Sequence, residues 1–317
     1  MSINNKIIDR IINKTSDSNV LDALSDKINL PDLQSLLLEV YRKRVEKIEL
    51  KHLFSQYKSN RFTQPSTIAP EKYLDFEQLA ISLLPNDYRM LELSPVAPLG
   101  CCSVLAPVDQ NNILSTIRNT EVCSDPTNVL AMECAKLRET LLKNRDDIFK
   151  KVKLCASQRV LRTQPVEGKD SAAHFKLLSL CDAGRDEGAF NFEIDSLMNQ
   201  LNYFINLLNK LSELGISIPS IRILLIVYNH AIKDKLQYIV HQIGKNNPNV
   251  HINPVFSEAK QNYYETLRYN IFATNYRGEE HFICDGGFTR WTQKLLNNRK
   301  ERLLTSGFGI ERLFLTF

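Results

Sequence analysis

The strongest constraint on this chain is a pair of strand-like runs with only a short polar break between them. Val160–Gln164 is the first, Pro165–Ala173 is the break, and His174–Asp182 returns as a long apolar run. So short a connection has no room for a crossover helix, so the runs pair antiparallel. Other β-rich segments are Arg89–Leu93, Cys101–Leu105, Glu121–Ser124, Val152–Ala156, Arg159–Thr163 and Ile221–Tyr228, with more near 250–256, 265–275 and 280–285. Helical patterns fall at 109–118, 127–150, 190–214 and 231–244, and at the C-terminus. The expected fold class is α+β, an antiparallel sheet flanked by helices, rather than a βαβ series. No GxGxxG and no P-loop occurs, so Rossmann and Walker readings have no anchor.

Hydrophobic residues at 43% and charged residues at 24% describe a chain that buries a sizeable core, which excludes disorder as its main state. A net charge of +4 is too small for a nucleic-acid coat protein. No apolar run reaches membrane-spanning length, and the N-terminal stretch lacks the apolar centre of a signal peptide. A cytoplasmic protein with no membrane partner is expected. The 7 cysteines form no CxxC pair, which fits free thiols in a reducing compartment.

Residues 1–60 read as helix. Asn29-Leu30-Pro31-Asp32 marks a helix start, and Leu33, Leu36, Leu37, Val40, Tyr41 and Val45 form one stripe after it. Arg42-Lys43-Arg44 is followed by Glu46 and Glu49, the pattern of a solvated face. Pro65 and Pro70 among Ser and Thr mark a linker. The expected organisation is a helical extension and linker over 1–70 and a larger domain over 71–317.

Chemistry concentrates in two places. The C-terminus carries Ser306-Gly307-Phe308-Gly309-Ile310-Glu311-Arg312-Leu313-Phe314, which sets a guanidinium beside closely approachable backbone. An Arg fork matches two phosphate oxygens. The strand pair described above carries Arg162 on one run and Phe175 on the other, a pairing suited to cradling a nucleotide. The first segment resembles motif 3 of the class II aminoacyl-tRNA synthetases, and the second resembles motif 2. The resemblance covers about residues 75–317, and Cys123–Thr127 and Phe282–Gly287 agree with it; the latter is similar to the glycine-pair segment of histidyl enzymes.

Several expectations follow from this resemblance alone. Arg312 would bind the ATP γ-phosphate, Arg162 would hold the α-phosphate and act catalytically, and Phe175 would stack beneath adenine. Thr127, Ser179, Cys181, Gly286 and Gly287 would contact the amino acid. Gln164 stands where the family has a carboxylate facing adenine. His174, or Lys169, would replace the basic residue that the family has where Ser171 stands here. Phe288-Thr289-Arg290 departs from the histidyl pattern, as does Ala259, next to Lys260, ahead of Tyr263-Tyr264, so histidine specificity gains no support.

The implied activity joins an amino acid or related carboxylate to ATP as an acyl-adenylate, with Mg²⁺. Asp285 and Glu193 are metal candidates. Zinc would need Cys181 and Cys284 with Cys102 or Glu193, against buried thiols as the plainer reading. A homodimer is implied. Only 5 residues follow Arg312, so no anticodon-binding domain is expected there and tRNA is not the expected acceptor; a carrier protein or small molecule takes that role. The alternative is a non-catalytic paralogue that senses a ligand or regulates a partner.

Overall fold

The computed structural model describes residues 3–15, 18–164, 172–259 and 263–317. Lys169, Ser171 and Lys260 lie outside them. The chain divides into two compact units, Met1–Asn60 with Ser115–Thr120, and Arg61–Leu114 with Glu121–Phe317.

The first unit holds α1 (Ile3–Thr15), the short α2 (Val20–Asp22), α3 (Leu30–Val45) and α4 (Leu50–Ser59). Helix α3 starts where the sequence marks it. Asn29 accepts the backbone N–H of Asp32 at 3.0 Å and a proline sits in the first turn. The apolar stripe of α3 is not a core stripe: Leu36, Val40, Tyr41 and Val45 are exposed, and neither α3 nor α4 buries a residue. Arg42 is paired on its own helix, with Glu39 at 2.6 Å and Glu46 at 2.5 Å, as befits a solvated face.

The second unit begins with α5 (Pro70–Leu83), β1 (Tyr88–Met90), β2 (Val96–Pro98), β3 (Thr120–Val122), α6 (Pro126–Leu141) and β4 (Val152–Leu161). It continues through β5 (His174–Arg185), α7 (Asn191–Lys210), β6 (Ser220–Val227), α8 (Lys233–Asn246), β7 (Val250–Phe256) and β8 (Leu267–Thr274). The last elements are β9 (Glu280–Thr289), α9 (Trp291–Leu295), β10 (Glu301–Gly309) and α10 (Ile310–Thr316).

Eight strands form one sheet in the order β1-β4-β5-β10-β9-β8-β6-β7, and β2 pairs with β3. The sheet is antiparallel except at its edges, where β1–β4 and β6–β7 run parallel. Helix α8 makes the crossover from β6 to β7, which a parallel pair requires. Strands β4 and β5 pair with Val160 opposite Phe175, the antiparallel pairing read from the sequence.

Four local expectations need correction. Cys101–Leu105 is a wide helical turn, not a strand. Gly100 enters it at φ 88°, and the N–H groups of Gly100 and Cys102 each donate to the Glu121 carboxylate at 2.9 Å. The runs 152–156 and 159–163 are one strand, β4, buried on both faces and so lacking the alternation that would mark it as continuous. The helix expected over 109–118 is a single turn at Gln110–Asn112, after which the Leu114 carbonyl pairs with Val122 N–H. Helix α6 stops at Leu141, and Asn144 caps a separate short turn.

The sheet carries an apolar core on each face. On one, Leu178, Leu180, Leu304 and Phe308 pack against Phe76 of α5 and Leu197, Leu201 and Phe204 of α7. On the other, Leu154, Cys181, Ala183 and Leu303 pack against Leu130, Ala131 and Cys134 of α6 and Trp291 of α9. A fully buried ion pair, Arg138–Glu301 at 2.8 Å, ties α6 to β10. The Pro65 region is packed rather than a free linker: Ser66 bonds to Glu311 and to the Tyr73 hydroxyl.

Candidate functional site

On the α6 side of the sheet a cavity of about 480 Å³ opens beyond the end of the helix. The N-terminal turn of α6, the segment after β4, the start of β5, β9 and the β10–α10 junction supply walls of it. Arg162 follows β4 directly. Its Nε donates to the Ser124 carbonyl at 3.0 Å, and its guanidinium stands 3.5 Å from Asp125. It lies over the Phe175 ring, 5.2 Å from the centroid. Gln164 also lines the cavity. At the opposite wall Arg312 stands in the first turn of α10, exposed, with one N–H on the Phe282 carbonyl at 3.3 Å.

The neighbouring Glu311 anchors that turn. It accepts from the Lys176 backbone N–H at 3.1 Å and faces Arg159 at 3.4 Å. Burial pushes its carboxyl up, but hydrogen bonds from Ser66 and Tyr73 and the charge of Arg159 outweigh this and hold it below the ordinary value. Residue 311 is thus buried and tied down, while the Arg312 side chain is exposed and held to Phe282.

The start of α6 is built by Asp125, which accepts the Thr127 backbone N–H at 2.9 Å and the Thr127 hydroxyl at 2.7 Å. Thr127 lines the cavity, with its hydroxyl committed to this cap. Across from it Asp285 accepts from the Tyr264 hydroxyl at 3.0 Å. Burial raises the Asp285 carboxyl, the Tyr264 hydrogen bond opposes this, and the nearby Asp125 charge adds to it. Asp125, Asp285 and Glu311 line the cavity together with Arg162, Arg268 and Arg312, so its charge is mixed.

The remaining expected residues lie elsewhere. His174 faces away, and its ring nitrogens meet Arg159 at 3.0 Å and the Gln64 carbonyl at 2.5 Å. Ser179 and Cys181 share the face of Phe175 and Leu177 but sit deeper, fully buried under α6. Cys181 lies 3.7 Å from the Thr127 carbonyl.

The glycine pair makes room for two tyrosines on opposite faces. A Cβ on Gly286 would stand 2.6 Å from the Tyr269 ring, and one on Gly287 would stand 2.5 Å from the Tyr264 ring. Gly287 therefore acts through Tyr264, which does line the cavity.

Cys181 and Cys284 belong to the two different cores, on opposite faces of the sheet, so they cannot share a zinc ion. Glu193 is paired with Arg302 at 3.0 Å. Among the described residues no group of three or more His, Cys, Asp or Glu could hold a metal. All 7 cysteines are free and buried. Asn128 and Arg268 are cavity residues that sequence reasoning missed; Cys102 was weighed there only as a zinc ligand, and Asp125 and Tyr264 only as neighbours of the matching segments.

No family model and no curated protein matches this chain. Solved structures do. The threonyl-tRNA synthetase ThrRS-1 from Aeropyrum pernix superposes at a TM-score of 0.58 over 77% of this chain, with 13% identity. The chain spans 58% of that synthetase's length. An ATP phosphoribosyltransferase regulatory subunit/histidyl-tRNA synthetase from Bacillus halodurans gives a TM-score of 0.53 and 13% identity, covering 80% of this chain and 82% of that one. Apo histidyl-tRNA synthetase from S. aureus gives 0.54 and 14%, covering 78% and 67%. The chain has the class II aminoacyl-tRNA synthetase fold. Arg162, Phe175 and Arg312, which lie in the segments resembling motifs 2 and 3, all line one cavity. Among the described residues no helix is long and apolar enough to cross a membrane.

Proposed function

We propose that this protein binds ATP and a small amino acid and joins them as an acyl-adenylate. The observation that carries the reading is the convergence of Arg162, Phe175 and Arg312 on one cavity that Asp125, Asp285 and Glu311 also line. A ring under a guanidinium suits an adenine and its α-phosphate, and a second, exposed arginine suits the far phosphates. The amino acid's ammonium group finds Asp125 or Asp285. Its carboxylate oxygen attacks the α-phosphorus in line, the new P–O bond forms, and the bond to pyrophosphate breaks. Arg162 neutralises the charge that develops on the α-phosphoryl oxygens.

Mg²⁺ bound to the phosphates would be held by Asp285 and Asp125, the cavity's candidate carboxylates. It would supply charge neutralisation of the leaving pyrophosphate. The acceptor we propose is a carrier protein or small molecule rather than tRNA, and the working unit a cytoplasmic homodimer.

A second reading has its own support. Arg162 is already engaged by Ser124 and Asp125, and Gln164 stands where a synthetase has a carboxylate. A ligand-sensing paralogue would tolerate both, and one structural neighbour bears the name of a regulatory subunit. ATP–pyrophosphate exchange with a mixture of the common amino acids separates the readings. Exchange that depends on amino acid and is lost in Arg162→Ala supports the ligase. Ligand-dependent thermal stabilisation without exchange supports the sensor.

A further inference from the structure

Three arginines line the cavity, and two of them are already engaged. Arg162 holds the Ser124 carbonyl and faces Asp125 at 3.5 Å, and Arg312 holds the Phe282 carbonyl. Arg268 is the third, half-buried on β8. Among the described residues its guanidinium takes part in no hydrogen bond or ion pair, and its Nε is buried without a partner. The terminal nitrogens are left to meet a ligand. A half-buried cation has lost part of its hydration, which only an anion or acceptor brought to it replaces. The carboxylates of the cavity do not serve. Asp125 faces Arg162, and Glu311 faces Arg159 at 3.4 Å. Asp285 accepts from Tyr264 and feels the Arg268 charge without pairing to it.

The strand register places Arg268 at the end of the cavity away from the proposed nucleotide. Arg268 stands opposite Gly287 on β9, Gly287 opposite Thr305 on β10, and Thr305 opposite Cys181 on β5. Directly opposed residues share a face of the sheet, and so do residues two apart along a strand. Asp285 is therefore on the same face in the next row, which runs through Gly307 to Ser179. The row after that holds Gly309 and Leu177, and Phe175 follows. Arg162 comes directly after β4 and Arg312 directly after β10, both at the Phe175 end. In the sheet β8 also lies three places from β5, roughly 14 Å at the usual strand spacing. The order along the cavity is Phe175 with the two engaged arginines, then Asp285, then Arg268.

We infer that Arg268 selects an amino acid with an anionic side chain, a second carboxylate or a phosphate monoester. This rests on the amino-acid reading of the same cavity. With the ammonium at Asp285 and the reacting carboxylate turned toward Arg162, the remaining substituent points to Arg268. An arginine fork takes two oxygens of a carboxylate or phosphate at once. The neutral amide of the same shape offers one acceptor and leaves the guanidinium charge unmatched.

Calorimetric titration of the full chain with ATP and Mg²⁺ present tests this on glutamate against glutamine, aspartate against asparagine, and O-phosphoserine against serine. The acidic member of at least one pair should bind about tenfold tighter or more, the scale of a charged hydrogen bond. Which pair shows it tells a carboxylate from a phosphate. Arg268→Gln should bring that ratio close to one and leave the binding of ATP alone unchanged, and Arg268→Lys should keep a reduced preference. If Arg268→Gln does not fold, the ratios in the natural chain and in Arg268→Lys decide. Equal binding within every pair, tighter binding of the neutral members, or an acidic preference that survives in Arg268→Gln overturns the inference. So does an equal loss of ATP and amino acid in Arg268→Gln, since the arginine then serves the nucleotide's phosphates. Binding of ATP with no member of the panel overturns it and leaves nucleotide binding standing. Binding of neither ATP nor any amino acid removes the proposed function as well.

Discussion

The two faces of the large sheet meet the same strands in different ways. On the α7 face, a 20-residue helix with an apolar stripe covers the central strands, and Phe76 and Phe204 stack on Phe308 at 5.6 and 6.0 Å. On the other face the 16-residue α6 and the short α9 cover only part of the strands. The uncovered part carries glycines, arginines and carboxylates beside aliphatic residues such as Leu177 and Ile283. One face is a core from end to end. The other is a core that stops, and the cavity begins where α6 begins, because Asp125 and Pro126 start the helix there.

The largest effect should come from breaking the closed face. Phe204→Ala removes a fully buried ring between Tyr203 and Phe308 and should cost about 3–5 kcal/mol in urea unfolding. A loss under about 1 kcal/mol would mean that this face is loosely packed after all.

Titration probes the same face more subtly. Burial pushes the Asp182 carboxyl up to about 6, against hydrogen bonds from Tyr88 and Gln200. Its folded value lies above its unfolded one, so the folded state is favoured while the group is protonated, and the advantage is lost as pH rises from about 4 through about 6. The shift corresponds to roughly 3 kcal/mol. Relative to Asp182→Asn, the natural chain should lose stability across that window. Parallel pH curves for the two proteins would refute this.

The glycine pair compares the faces within one strand. Gly286→Ala drives a methyl into Tyr269, and Gly287→Ala drives one into Tyr264. Each also approaches backbone oxygen closely, so each should cost about 1–3 kcal/mol. Only Gly287→Ala should also displace a cavity wall. Ligand-dependent thermal shift that is lost in Gly287→Ala but kept in Gly286→Ala would sharpen the contrast, and the reverse would undo it.

The smallest stability change belongs to Arg312→Ala. The side chain is exposed, so the melting temperature should move by the equivalent of less than about 0.5 kcal/mol. ATP binding should weaken by about 1.5–3 kcal/mol, the scale of a charged hydrogen bond. A fall in stability with unchanged nucleotide affinity would make the residue structural.

Arg162, Phe175 and Arg312 could be found in the sequence because each belongs to a local pattern. Two are placed by a strand–loop–strand pair, the third by a Gly-flanked strand that turns into a helix. The helical stripe of α3 was equally legible, and the helix formed. Its burial did not follow, since amphipathic spacing reports a helix and not what covers it. The expected strand at Cys101–Leu105 failed for a related reason: two backbone N–H groups there are claimed by Glu121, a partner that no local window contains.

By itself the sequence determined the antiparallel pairing of β4 with β5 and the helix start near Asn29, and it singled out Arg162, Phe175 and Arg312 through a resemblance. All of these depend on interactions within a few residues or across one short loop. The tertiary structure alone decided that Cys181 and Cys284 fall on opposite faces and that His174 turns from the cavity. It alone made Gly286 and Gly287 space for two tyrosines. It also brought Arg268 to the cavity wall. Alternation along a strand sets which residues share a face, but which face is closed by a helix and which is left open depends on packing between distant elements.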